Sequence, residues 1–172
     1  MDNNHQQKGS RGQTFVSFVI ERMKNDAGFG AALRRADNSA TEYQAWEYLS
    51  KWCDLEKSWE RQAFTTIAAS LARSKPQKDG GYGVGQAIAL SYGDGGNQSD
   101  PAKTKLRRLL ACTNTEEACV ILRPLLSLVD SRGIKVCYAR LLDELLYFNE
   151  KVRIHWATDF YGKGHKDDSL SI

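Results

Sequence analysis

Apolar residues recur at helical spacing along nearly the whole chain, and nowhere do they alternate as a half-buried strand requires. Phe15, Val16, Val19, Ile20 and Met23 fall at i, i+1, i+4, i+5 and i+8, one face of a helix. Phe29, Ala32, Leu33 and Ala36 predict a short second helix following Gly28 and Gly30, and Tyr43, Trp46 and Leu49 a third. Ala63, Phe64, Ile67, Ala68 and Leu71 mark a fourth, with Ser58 as its N-cap. Further on, Ala118, Leu122, Leu125, Leu126 and Val129 form a full stripe, opened by a capping box over Thr113-Asn114-Thr115-Glu116. Pro124 inside that stripe removes a backbone donor and predicts a kink or break. Gly133 followed by Ile134 reads as a left-handed stop. Tyr138, Leu141, Leu142 and Leu145 give another helix, and Val152, Trp156 and Phe160 the last.

Half of the glycines cluster between Ser74 and Asp100, around the short apolar insert Val84 to Leu90. That pattern reads as two flexible loops flanking one short helix. Asp100-Pro101 then restarts helix, with Asp100 as N-cap and Pro101 at the first helical position. The expectation is an all-α fold of two small helical bundles, residues 13–73 and 101–161. The Gly-rich region 74–100 joins them, and the tails 1–12 and 162–172 are disordered. At 172 residues, 41% of them hydrophobic, the chain can bury a full core. Its start, Met1 to Gln13, is polar, and the apolar run Phe15 to Ile20 is far too short to span a bilayer. A soluble, cytoplasmic protein without a membrane partner is expected.

Enzyme chemistry finds little support. Gly81-Tyr82-Gly83-Val84-Gly85 lacks the Gly-Lys-Ser/Thr ending of a phosphate loop and has no preceding strand. No serine sits in a Gly-x-Ser-x-Gly elbow. Cys53, Cys112, Cys119 and Cys137 show no paired spacing, and with only His5, His155 and His165 available no zinc set assembles. The cysteines read as small buried hydrophobes in a reducing compartment. Glu116, Glu117, Asp143 and Glu144 read as helix first turns or solvated faces. Trp46, Trp156 and Phe64 read as core; Trp52 and Trp59, bracketing the charged stretch Asp54 to Ser58, read as a seam between lobes or a partner surface. No catalytic residue, metal site or cofactor is expected.

The cations are more informative, although the net charge is only +3. Lys103, Lys105, Arg107 and Arg108 lie within Pro101 to Asn114, a segment free of acidic residues. With Ala102, Leu106, Leu109 and Leu110 inward, Lys105 and Arg107 flank the buried stripe on opposite sides and Arg108 points outward. Arg34 and Arg35 lie away from the Phe29/Leu33 stripe, Arg123 flanks Leu122/Leu126, and Lys151 and Arg153 open the last helix. Singly, each is more often an ordinary solvated side chain. Together, uncompensated, they suit a phosphate backbone, bound without base recognition.

The order of segments resembles the CasB family, the small subunits of the type I-E CRISPR surveillance complex Cascade. The pieces that carry the resemblance are Ala31-Ala32-Leu33-Arg34-Arg35-Ala36, Trp59-Glu60-Arg61-Gln62-Ala63-Phe64 and Gly85-Gln86-Ala87-Ile88. They continue with Lys105-Leu106-Arg107-Arg108-Leu109-Leu110, Leu122-Arg123-Pro124-Leu125-Leu126 and Tyr138-Ala139-Arg140-Leu141-Leu142, and close on Val152 to Tyr161 with its Trp-Ala-x-Asp-Phe-Tyr signature. The resemblance implies two helical bundles without catalytic activity. It implies binding to guide RNA and to target or displaced single-stranded DNA, and packing against a second copy of itself and against the Cascade backbone and large subunits. Its basic positions fall on Arg35, Lys105, Arg123 and Arg153, with Arg34, Arg107, Arg108 and Lys151 as neighbours. Gln86 and Pro124 stand where the family often has Arg, and Lys105 keeps the charge but not the guanidinium fork. The alternative reading is a helical protein-interaction module without nucleic-acid binding.

Overall fold

The computed structural model describes residues 9–162. Among them run nine α-helices: α1 Arg11–Met23, α2 Ala27–Arg34, α3 Trp46–Leu49, α4 Ser58–Ser74, α5 Val84–Leu90, α6 Asp100–Leu110, α7 Thr115–Ser131, α8 Tyr138–Leu146 and α9 Glu150–Tyr161. Three short 3-10 turns join them, and the described residues form no strand beyond one isolated bridge between Tyr82 and Val136. The all-α expectation is met. Apart from residues 9–12 and 162, the expected tails lie outside the described residues.

Helix α1 begins at Arg11, capped by Ser10, whose hydroxyl accepts from Gln13 N at 3.1 Å. It buries Phe15, Val16, Val19 and Ile20, the face its spacing predicts. Asp26 caps α2 by accepting from Phe29 N at 2.9 Å, and that hydrogen bond holds its carboxyl below the usual range. Gly28 and Gly30 lie inside α2 rather than before it.

Helices α4 and α7, 17 residues each, run parallel through the middle of the molecule. Ser58 Oγ donates to Glu116 Oε1 at 2.6 Å near both N-termini, and Arg123 reaches Gln62 further along. On its other sides α4 meets α2 and α8; α1 packs on α8, and α5 on α9. The buried apolar side chains from Phe15 to Phe160 form one continuous cluster.

The α5–α9 contact requires glycine: a Cβ on Gly85 would lie 2.0 Å from the Trp156 carbonyl oxygen. The crossing between α4 and α5 is fastened rather than loose. Asp79 accepts from Tyr138 N at 2.8 Å and Ala139 N at 3.0 Å, capping α8 from a distant part of the chain. Gly80 N and Tyr82 N donate to Val136 O and Lys135 O, and Cys137 N donates back to Tyr82 O.

Several local expectations are corrected. Leu49 is buried as expected, but Tyr43 is 59% and Trp46 38% exposed, because a 3-10 turn over Glu42–Ala45 puts Ala45 inward in their place. The Trp46 indole N–H donates to buried Glu42, which also pairs with Arg61 at 3.2 Å. Ser58 is the first residue of α4, not its cap, and Ser99 rather than Asp100 caps α6. The α7 cap is shifted by one residue: Asn114 accepts from Glu117 N, and Glu117 reaches back to Thr113 N at 2.8 Å. Pro124 does not break α7, which runs on to Ser131 before Gly133, at φ +74°, ends it as expected.

Candidate nucleic-acid interface

The outer face of α7 carries cations along both edges. On one side α6 runs beside it, and a groove of about 280 Å³ opens between them, floored by Val120, Ile121, Pro124 and Leu125. Lys105 and Arg108, three residues apart and so on neighbouring positions of α6, line this groove together. Arg108 therefore shares a flank with Lys105 instead of standing apart from it. On the other side Arg123 leans onto α4, where its Nη2 donates to Gln62 Oε1 at 2.8 Å and reaches Thr65 Oγ1 at 3.5 Å. Its buried Nε has no partner. Arg123 is thus a half-buried tether between α7 and α4 as well as a charge.

Arg107 follows buried Leu106 and is exposed on the flank of α6 opposite Lys105. Arg153 comes from the first turn of α9, and its Nη1 donates to the Leu110 carbonyl at 3.3 Å, satisfying one of the free carbonyls at the end of α6. Lys151 beside it is exposed. Cations at a helix C-terminus meet the negative end of its dipole, so Arg107, Arg108 and Arg153 also favour α6 itself.

Arg34 and Arg35 form a separate corner where α2 ends. Arg34 lines a cleft of about 250 Å³ with Lys24 and Lys75, and Arg35 Nη1 donates to Gln44 Oε1 at 2.8 Å. This cleft touches α4 at Ala72 and Arg123 touches it at Gln62 and Thr65, an offset of about 10–15 Å along the helix axis. The structure thus gathers Lys105, Arg108 and Arg123 around α7, and sets Lys151 and Arg153 at the start of α9 with Arg153 on the end of α6. It leaves Arg107 on the flank of α6 opposite Lys105, and places Arg34 and Arg35 apart.

None of the eight pairs with a described carboxylate. The ion pairs among the described residues belong to Arg11, Arg22, Lys24, Lys57, Arg61, Arg73 and Arg140. Two further cations, unpaired among the described residues, stand in clefts where none was expected: Lys75, which shares the Arg34 cleft, and Lys51, exposed on a separate aromatic cleft near α1. Only Lys75 carried a sequence signal, since it directly precedes Pro76 at a helix end.

The titratable groups elsewhere are arranged for packing. Burial pushes the Cys53 thiol up to about 12 and the Cys119 thiol up to about 11, and raises Cys112 and Cys137 as well, away from thiolate reactivity. Glu144, expected on a solvated face, is instead mostly buried, held by Arg140 and by the Trp156 indole N–H; burial raises its pKa. No described helix is long and apolar enough to cross a membrane.

Comparison with known proteins agrees with this architecture. The family model described as CRISPR-associated protein Cse2 matches residues 30–161. Against the curated proteins the sequence finds no match. The fold is similar to the crystal structure of CasB from Thermus thermophilus, with a TM-score of 0.71 and 24% identity, covering 90% of this chain and 99% of that one. It is similar to M. ruber CasB, with a TM-score of 0.68 and 24% identity over 88% of this chain and 93% of that one. A chain of a CRISPR RNA-guided surveillance complex also matches, with a TM-score of 0.68 and 18% identity over 88% and 90% of the two chains.

Proposed function

The chain belongs to the CRISPR-associated Cse2 family, and from that premise we propose that it is the non-catalytic small subunit of a type I-E Cascade effector complex in the cytoplasm. In this role it holds guide RNA and target or displaced DNA by their backbones and stabilises the R-loop in antiviral defence. Its neighbours are a second copy of itself and the backbone and large subunits of the complex.

The observation that carries this reading is the set of eight cations without a described carboxylate partner, whereas seven of the thirteen other described basic side chains are ion-paired. Opening an R-loop exchanges one duplex for another of similar stability, so modest contacts to the opened strands shift the balance. Lys105, Arg107, Arg108, Arg34, Arg35 and Lys151 offer charge to a strand, while Arg123 and Arg153 hold α7 and α6 in place beside them. Such contacts neutralise phosphates and read no bases.

Two measurements test it. A gel shift with single-stranded DNA should show retardation at low salt that fades at moderate salt; a helical interaction module without a nucleic-acid role gives none at either. In the reconstituted complex, Lys105→Ala with Arg108→Ala should weaken R-loop formation about equally for unrelated targets. A loss confined to particular target sequences, or no loss, overturns the assignment of this surface.

A further inference from the structure

A second kind of surface lies away from the α6–α7 groove. Between α1 and the turn after α3 an open cleft of about 350 Å³ is lined by Phe18, Arg22, Glu47, Tyr48, Lys51 and Trp52. Phe18 is 37% exposed, and its ring centroid is 5.1 Å from that of Trp52, with the planes tilted by 42°.

The platform is held rigidly. Phe15 packs edge-on against Trp52 at 5.3 Å and Phe29 edge-on against Phe18 at 6.0 Å. The Trp52 carbonyl accepts from Arg11 Nη2 at 2.8 Å, and its N–H donates to Leu49 O at 2.8 Å. A preformed surface of this kind binds without an ordering cost.

The charges decide what it suits. Aromatic faces attract cations, but the Arg22 guanidinium already lies 4.5 Å from the Phe29 centroid and 5.1 Å from that of Tyr48. Arg22 is itself paired with Asp26 at 3.3 Å and also lies 6.0 Å from the Phe18 centroid, while Lys51 and Glu47 stand exposed on the rim with no ion pair among the described residues. A cationic ligand would compete with Arg22 for these faces, whereas a neutral planar ring carried on an anionic chain leaves Arg22 in place and brings a phosphate to unpaired Lys51. We propose that this cleft stacks one unpaired nucleobase of a single strand on Phe18 and Trp52, with Lys51 meeting a neighbouring phosphate. The site rests on the nucleic-acid reading given above and adds a base contact to the backbone contacts.

The test uses the full chain with dye-labelled oligothymidylate and an abasic strand of equal length, followed by fluorescence anisotropy. The base-bearing strand should bind roughly tenfold more tightly. Phe18→Leu should abolish that difference and leave abasic binding unchanged, while Phe18→Tyr, which keeps an aromatic face, should preserve it. Photocrosslinking of a 5-iodouracil strand to the unaltered protein should label Phe18 or Trp52, whatever the variants do to folding. Equal binding of both strands, as a cleft reserved for a peptide would give, overturns the stacking site and leaves the phosphate surface standing. A preference that survives Phe18→Leu, or a crosslink confined to other residues, overturns it too. Binding of neither strand defeats the nucleic-acid reading, and the stacking site with it.

Discussion

Replacing Lys105 and Arg108 together by alanine should change how single-strand binding responds to salt while leaving the fold intact. Both side chains line an open groove without a carboxylate partner. Each phosphate contact to a single strand contributes about 0.7 to the slope of log affinity against log salt, so losing two flattens it by about 1.4. Raising salt fourfold, from about 50 to about 200 mM, then costs the wild type roughly sevenfold more affinity than the double variant. Arg123→Ala supplies the contrast, because its Nη2 is committed to Gln62 at 2.8 Å. Removing that half-buried tether should cost about 1–2 kcal/mol, which for a chain of this size lowers Tm by about 2–8 °C, with little change in slope. Anisotropy titrations across a salt series and thermal melts of the same samples check both halves. A double variant that keeps the wild-type slope would falsify the division into open and tethered cations. So would an Arg123→Ala protein that loses a full phosphate contact at unchanged Tm.

Two further outcomes concern the fold that carries this surface. Helix propensity alone favours Gly85→Ala by about 1 kcal/mol, but the added Cβ would press on the Trp156 carbonyl at 2.0 Å. Overpacking against backbone should outweigh that gain and lower Tm by several degrees; a variant as stable as the wild type would remove the close approach of α5 to α9. Glu144 has its pKa raised by burial, so the folded protein keeps this proton where the unfolded chain has lost it. Stability should therefore fall as pH rises through and just above the ordinary carboxylate range, and Glu144→Gln should flatten that fall. Urea midpoints across pH test this, and a decline of unchanged steepness in the variant refutes it.

The helices were legible because their apolar faces repeat at fixed local spacing, and every long one lies where that spacing puts it. The third stripe misled because the 3-10 turn at Glu42–Ala45 departs from the α-helical angle per residue, which rotated Trp46 outward. Caps slipped by one residue at Ser99 and Asn114, where adjacent polar residues compete for the same role. That the cations are unopposed was visible in the scarcity of nearby acids. Which of them are tethered was not, because the partners are remote: Gln62 lies 61 residues before Arg123, and Leu110 43 before Arg153. Burial of Glu144 escaped for the same reason, its indole partner coming from the next helix. The aromatic cleft was invisible as a unit, since α1 contributes Phe18 and the turn after α3 contributes Trp52.

The fastening of the 75–83 crossing to residues 135–139 has a mechanical consequence. A slack glycine link would let the corner at Arg34 and the groove beside Lys105 drift, each gripping a strand on its own terms. With Asp79 clamped onto the first turn of α8 and α4 packed directly against α7, the two stations sit on one fastened body. In the proposed role the chain would then work as a gauge: a strand touching both stations would have to take up their span, whatever bases it carried.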